Sequence, residues 1–160
     1  MDIQTEKKAA KFSDCGKYRY WLSRIWDNEL PLVMFIGLNP SKANGVDDDN
    51  TIKRVRLIAK NHGYGGFYML NCFPYISTKP ALLQEFGNTA LNDHYLYDIS
   101  KKCLHIVFAW GNFTIVKKSG RDEELKGMFP GALALFINKN GSPKHPLFCR
   151  GDIKLIKFRR

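Results

Sequence analysis

The chain has 160 residues, 44% of them apolar, enough for one domain with a proper core. Lys and Arg outnumber Asp and Glu by 25 to 15, and the net charge of +10 is spread along the chain, which favours a polyanionic partner, most often nucleic acid. Four scattered cysteines, with no Cys-x-x-Cys and no Cys/His pair at zinc spacing, exclude the common zinc modules and fit a reduced, cytoplasmic protein; no secretory leader and no membrane span is expected.

Residues 1–13 are polar and charged and read as a flexible N-terminal arm, leaving residues 14–160 as a single domain. Tyr18 to Trp26 interleaves aromatic and basic residues. It reads as one or two edge strands, or as an amphipathic helix, and such a mixture either binds nucleic acid or covers one edge of the core. Leu32 to Ile36 is a continuous apolar run, the mark of a strand buried on both faces. It breaks into Gly37-Leu38-Asn39-Pro40-Ser41-Lys42. The acids Asp47, Asp48 and Asp49 follow, and Asp49 or Asn50 is expected to cap a helix running to Asn61. Capping accounts for part of this acidic run; Asp48 and Asp49 are also candidates for positioning a water or a metal.

Phe67 to Phe73 is the second strand, ending at Pro74. Helices are expected from Lys79 to Phe86 and from Asn88 to Lys102, the second with Leu91, Tyr95, Ile99 and Cys103 at helical spacing. Leu104 to Trp110 is the third strand, in which His105 reads as an ordinary strand residue. Gly120 to Phe129 is a charged helix, Ala132 to Ile137 the fourth strand, and Ile153 to Phe158 a last edge strand. Strands alternating with helices predict a three-layer α/β/α fold with a mostly parallel central sheet of about four strands plus edge strands.

Each of the four apolar strands ends in small polar residues, and a parallel sheet gathers such ends at one edge, where ligands bind. The P-loop, the Gly-x-Gly-x-x-Gly fingerprint and the Gly-x-Ser-x-Gly elbow are all absent, which argues against the common NTPase, dehydrogenase and hydrolase classes.

In the order of these motifs the chain resembles the uracil-DNA glycosylase superfamily. Gly37-Leu38-Asn39-Pro40 is similar to the first motif of the mismatch-specific branch, Gly-Ile-Asn-Pro. Leu70-Asn71-Cys72-Phe73 resembles the strand whose Asn reads the base edge, and Val107 to Asn112 the apolar strand ending in Trp-Gly or Leu-Gly. His145-Pro146-Leu147 resembles the second motif, His-Pro-Ser-Pro-Leu, without its internal Ser-Pro. From about Tyr18 onward the chain also resembles an uncharacterised bacterial and phage family carrying Gly-Leu-Asn-Pro-Ser and Ser-Pro-x-His-Pro-Leu.

The resemblance implies a uracil-DNA glycosylase-like fold that cleaves the bond between base and sugar. Such an enzyme stabilises a positive sugar and a negative leaving base, and places a water. Asn39 would position that water; its bland alternative is a turn residue before proline. Asn71 would hydrogen-bond the flipped base and Phe73 or Tyr75 stack on it; a strand-end Asn satisfying backbone is the alternative. His145 would stabilise the leaving base or hold a phosphate. Leu147 or Phe148 would fill the gap in the duplex, or else belong to the core. Ser41, Lys42, Ser142 and Lys144 are expected to contact phosphates, with Arg54 adding charge. The base would be uracil, a mismatched base or a modified pyrimidine, a phage hypermodified base among them, removed as a defence. No metal and no other cofactor is expected, and a monomer acting on duplex or single-stranded DNA is. The competing classes are a DNA- or nucleotide-binding module without catalysis, and an N-glycosidase of free nucleosides or nucleotides.

Overall fold

A computed structural model describes residues 5–79 and 89–158 of the chain. Seven strands form one mixed sheet: β1 (Lys7–Phe12), β2 (Arg19–Ile25), β3 (Leu32–Gly37), β4 (Gly66–Asn71), β5 (His105–Phe108), β6 (Leu133–Ala134) and β7 (Ile156–Lys157). Their order across the sheet is β1-β2-β4-β3-β5-β6-β7. The four central strands, β4, β3, β5 and β6, are mutually parallel. Outside them β1, β2 and β7 run antiparallel to their neighbours, so only half of the pairings are parallel.

Leu32 to Ile36 is the central strand, and Val33, Met34, Phe35 and Ile36 are wholly buried. Successive side chains of a strand point to opposite faces. Val33 and Phe35 accordingly join Phe67, Met69 and Val107 in one apolar cluster with Ile52, Val55 and Ile58 of α1 (Asn50–Asn61). Met34 and Ile36 join Tyr68, Leu70 and Phe108 in a second cluster. There they meet Leu96 and Ile99 of α2 (Thr89–Ser100), Ile115 and Val116 of α3 (Thr114–Lys118) and Leu125 of α4 (Arg121–Met128).

The chain leaves β3 for β4 on one side and returns through α2 to β5 on the other. The order therefore switches at β3, and a crevice opens at the carboxyl ends of the strands there.

Several expectations are corrected. The arm proposed for residues 1–13 contains β1, an edge strand paired along its length with β2. Tyr18 to Trp26 is not an edge: β2 lies between β1 and β4 with Arg19 and Arg24 buried. The helix expected from Lys79 to Phe86 falls, from residue 80 on, outside the described residues. Of the fourth strand only Leu133–Ala134 pairs in the sheet, because Ile137 turns aside to bridge Pro143. Helix α3 went unrecognised in the sequence. Among the described residues, no helix is long and apolar enough to cross a membrane.

Candidate functional site

The ladder between β3 and β4 continues past the strands. Cys72 N–H donates to Gly37 O (2.8 Å), Phe73 N–H to Leu38 O (3.1 Å) and Ser77 N–H to Pro40 O (3.0 Å). The two loops are thereby zipped side by side, and a cavity of about 260 Å³ opens beside them. It is smaller than the ~300–1,000 Å³ of drug-sized ligand sites, a size suited to a single ring and its substituents. Asn39, Asn71 and His145 all line it.

Asn39 is held by its nitrogen. Its Nδ2 faces three carbonyl oxygens, of Pro40 (3.0 Å), Tyr75 (3.2 Å) and Ser77 (2.7 Å). Three acceptors around one end of the amide assign that end as NH2, so Oδ1 is the end left to accept. Asn71 differs. It is 2% exposed, and its Nδ2 is buried with no partner among the described residues. Its backbone oxygen is taken by Asn92 Nδ2 (2.9 Å), which leaves the side-chain NH2 as the unmet group. Buried amides are nearly always satisfied, so an open one in a cavity wall is an offer to a ligand. Gly37, the register partner of Asn71, permits this arrangement. A Cβ there would sit 2.6 Å from Met69 Cε and 2.8 Å from Asn71 Oδ1.

His145 caps the 3-10 turn Pro146–Phe148: Leu147 N–H donates to its Nδ1 (3.1 Å). With Nδ1 accepting, the neutral ring carries its proton on Nε2. Burial pushes the His145 pKa below its ordinary value of 6.5, against the opposing field of Asp49, so the neutral form prevails at neutral pH. Gly111, at φ +79°, lets the chain pass here, since a Cβ would lie 3.3 Å from His145 Cβ. Its N–H donates to Pro143 O (2.9 Å), joining the loop after β5 to the His145 loop.

The remaining expected residues divide. Ser41 and Asp49 line the cavity, with Ser41 Oγ donating to Asp49 Oδ2 (3.1 Å). Asp49 Oδ1 caps α1 by accepting from Ile52 N–H (2.9 Å), as expected of a cap. Asp48 does not line the cavity. It pairs with the buried Arg24 (2.9 Å) and with Arg56 (2.7 Å). Burial opposes its ionisation, but the two arginines outweigh this and hold its pKa below the usual carboxylate value. Arg54 donates to the Cys149 carbonyl and so fastens the 3-10 turn to α1. Ser142 is buried and hydrogen-bonded to Asn112 and Asn140, which shapes a loop and leaves no free hydroxyl for a phosphate. Lys42 is exposed beyond the cavity wall. Lys144 sits over the Phe136 ring (5.3 Å to the centroid).

Neither expected stacking residue lines the cavity. Phe73 is in the core, and Tyr75 packs edge-on against Tyr18. Phe113 lines it instead. Leu147 and Phe148 are 43% and 75% exposed, which rules out the core alternative. Phe148, His145 and Phe113 border an adjoining cavity of about 300 Å³. The sequence reading also missed Arg19, a buried residue of β2 that lines the cavity. Among the described residues, no three His, Cys, Asp or Glu side chains are placed to hold a metal ion.

Fold and site thus define a mixed α/β protein with a small cavity of mixed polar and apolar lining at the carboxyl ends of its parallel strands. The chain belongs to the DUF1643 family, proteins of unknown function, whose family model matches residues 19–147. That span starts at Arg19 and closes at Leu147, so it takes in every residue that lines the cavity of Asn39, Asn71 and His145. No curated protein and no solved structure matches the chain.

Proposed function

We propose that the protein is a DNA glycosylase-like N-glycosidase of the three-layer α/β/α, uracil-DNA glycosylase-like type, working as a cytoplasmic monomer. It would remove a mismatched, damaged or modified pyrimidine from DNA and leave an abasic site. One observation carries the reading. Asn39, tied through its NH2 to three carbonyls, keeps Oδ1 for a water, in the same wall as the unpartnered amide of Asn71 and the Nε2–H of neutral His145.

In this mechanism the flipped base enters the cavity against Phe113. The Asn71 amide, a donor and an acceptor side by side, pairs with the base edge. The C1′–N bond breaks and its electron pair leaves with the base. His145 Nε2–H donates to the base oxygen on which negative charge accumulates. Asn39 Oδ1 accepts from the water and aims its oxygen at C1′; the water's other proton is lost to solvent and the base is protonated after release. A cationic sugar needs orientation of the water more than a strong base. The exposed Leu147 and Phe148 would occupy the space that the flipped nucleotide leaves.

The test is incubation with duplex and single-stranded DNA carrying uracil, mismatches or modified cytosines, followed by alkali. Strand breaks at one of these bases support the reading. Tight DNA binding without a break on any of them would replace it with a binding module, and release from mononucleotides alone with a nucleotide N-glycosidase.

A further inference from the structure

Three arginines are almost fully buried, and their surroundings differ. Arg24 is 0% exposed, pairs with Asp48 and donates to the carbonyls of Ser23, Asn44 and Asp47. Arg121 pairs with Asp93, donates to Cys72 O (2.9 Å) and lies 3.7 Å from Glu124. Arg19 is 3% exposed, and among the described residues its side chain makes one hydrogen bond, from Nη1 to Ala43 O (2.9 Å). Its Nε is buried without a partner, and among the described residues no carboxylate lies within the 4.0 Å of an ion pair. Asp49, whose field acts on it, already accepts from Ile52 N–H and Ser41 Oγ–H. Burial pulls the Arg19 pKa down to about 10, still far above neutrality, so the group stays a cation.

A buried guanidinium without a counter-ion is strongly disfavoured. Among the described residues the fold gives counter-ions to Arg24 and Arg121 and none to Arg19, the one of the three that lines the cavity. We propose that Arg19 binds an oxyanion, a carboxylate or a phosphate, on the ligand that enters this cavity. The planar fork of Arg suits two-point contact with such a group, whereas an uncharged carbonyl would leave the charge unbalanced. Arg19 is as buried as Asn71, which favours an anion that enters with the ring over a DNA backbone phosphate lying across the mouth. The oxyanion follows from Arg19 alone. That its carrier is a pyrimidine, and hence that the substrate is a base with an acidic substituent, rests on the glycosidase reading.

The experiment is calorimetric titration of the full chain with uracil, 5-carboxyuracil and 2′-deoxyuridine 5′-monophosphate. The wild type is expected to bind 5-carboxyuracil at least about tenfold more tightly than uracil. Arg19→Gln should abolish that gap, and Arg19→Lys should keep part of it. Should the Gln variant fail to fold, the wild-type gap and its reduction in Arg19→Lys decide. Equal affinities for all three ligands, binding of neither anion, or a gap that survives substitution would overturn the inference. An Arg19-dependent preference for the monophosphate over 5-carboxyuracil would overturn the base assignment and move the anion to the sugar. Binding of free bases needs no bond cleavage. An Arg19-dependent gap therefore stands even if no DNA is cut, and base release without the gap removes the oxyanion and leaves the glycosidase reading.

Discussion

Asn39 and Asn71 sit at neighbouring strand ends but are held in opposite ways, and their substitution should separate stability from function. Asn71 has a buried NH2 with no partner. Asn71→Leu removes that unmet donor at similar size, so stability should be unchanged or rise by about 1 kcal/mol in chemical denaturation, while base binding is lost. His145 gives a pH signature. Its folded pKa is depressed, so below 6.5 the unfolded chain binds the proton better. Its contribution to stability is full above 6.5 and lost as pH falls from there to the folded value. Melting temperatures at pH 7.5 and 5.5 should diverge more in the wild type than in His145→Gln. At this scale Asn39, Asn71 and His145 were legible, because short motifs at strand ends carry them. Phe113 and Arg19 were not. Phe113 follows a Gly-Asn turn with no motif of its own, and the Arg19 guanidinium donates to the carbonyl of Ala43, 24 residues away.

The loop between β3 and α1 is braced by β2. Arg19 holds the carbonyl of Ala43, and Arg24 holds those of Asn44 and Asp47 together with the Asp48 carboxylate. This is why β2 defied its sequence pattern. Two arginines among aromatics look solvent-facing until distant carbonyls satisfy them inside. The same bracing assigns Asp48 to structure. Asp48→Asn leaves Arg24 buried without its counter-charge, and a loss of about 3 kcal/mol is expected in urea unfolding. By contrast β3, β4 and α1 were legible from apolar runs and a cap, the two signals least dependent on distant contacts. The fourth strand misled, since an apolar run fixes burial and not pairing: Phe136 is half exposed and Ile137 pairs locally with Pro143.

For the whole molecule, the +10 charge predicts DNA binding dominated by phosphates. Affinity should fall with salt, log K against log salt having a slope of about −0.9 per phosphate neutralised on a duplex. The alternation of strands and helices made the α/β class legible, while the antiparallel flanks were not: β1 carries three lysines and no run of large apolar residues, and β7 is two residues long. The central claim is that the Asn39–Asn71–His145 cavity breaks a base–sugar bond. The most direct measurement is mass spectrometry of free bases released from DNAs of differing modification by the wild type and by Asn39→Ala. We expect one modified pyrimidine to be released by the wild type, in step with abasic sites, and its release to fall about 100-fold or more in Asn39→Ala. Release of no base from any of these DNAs, or equal release by the variant, would contradict the account.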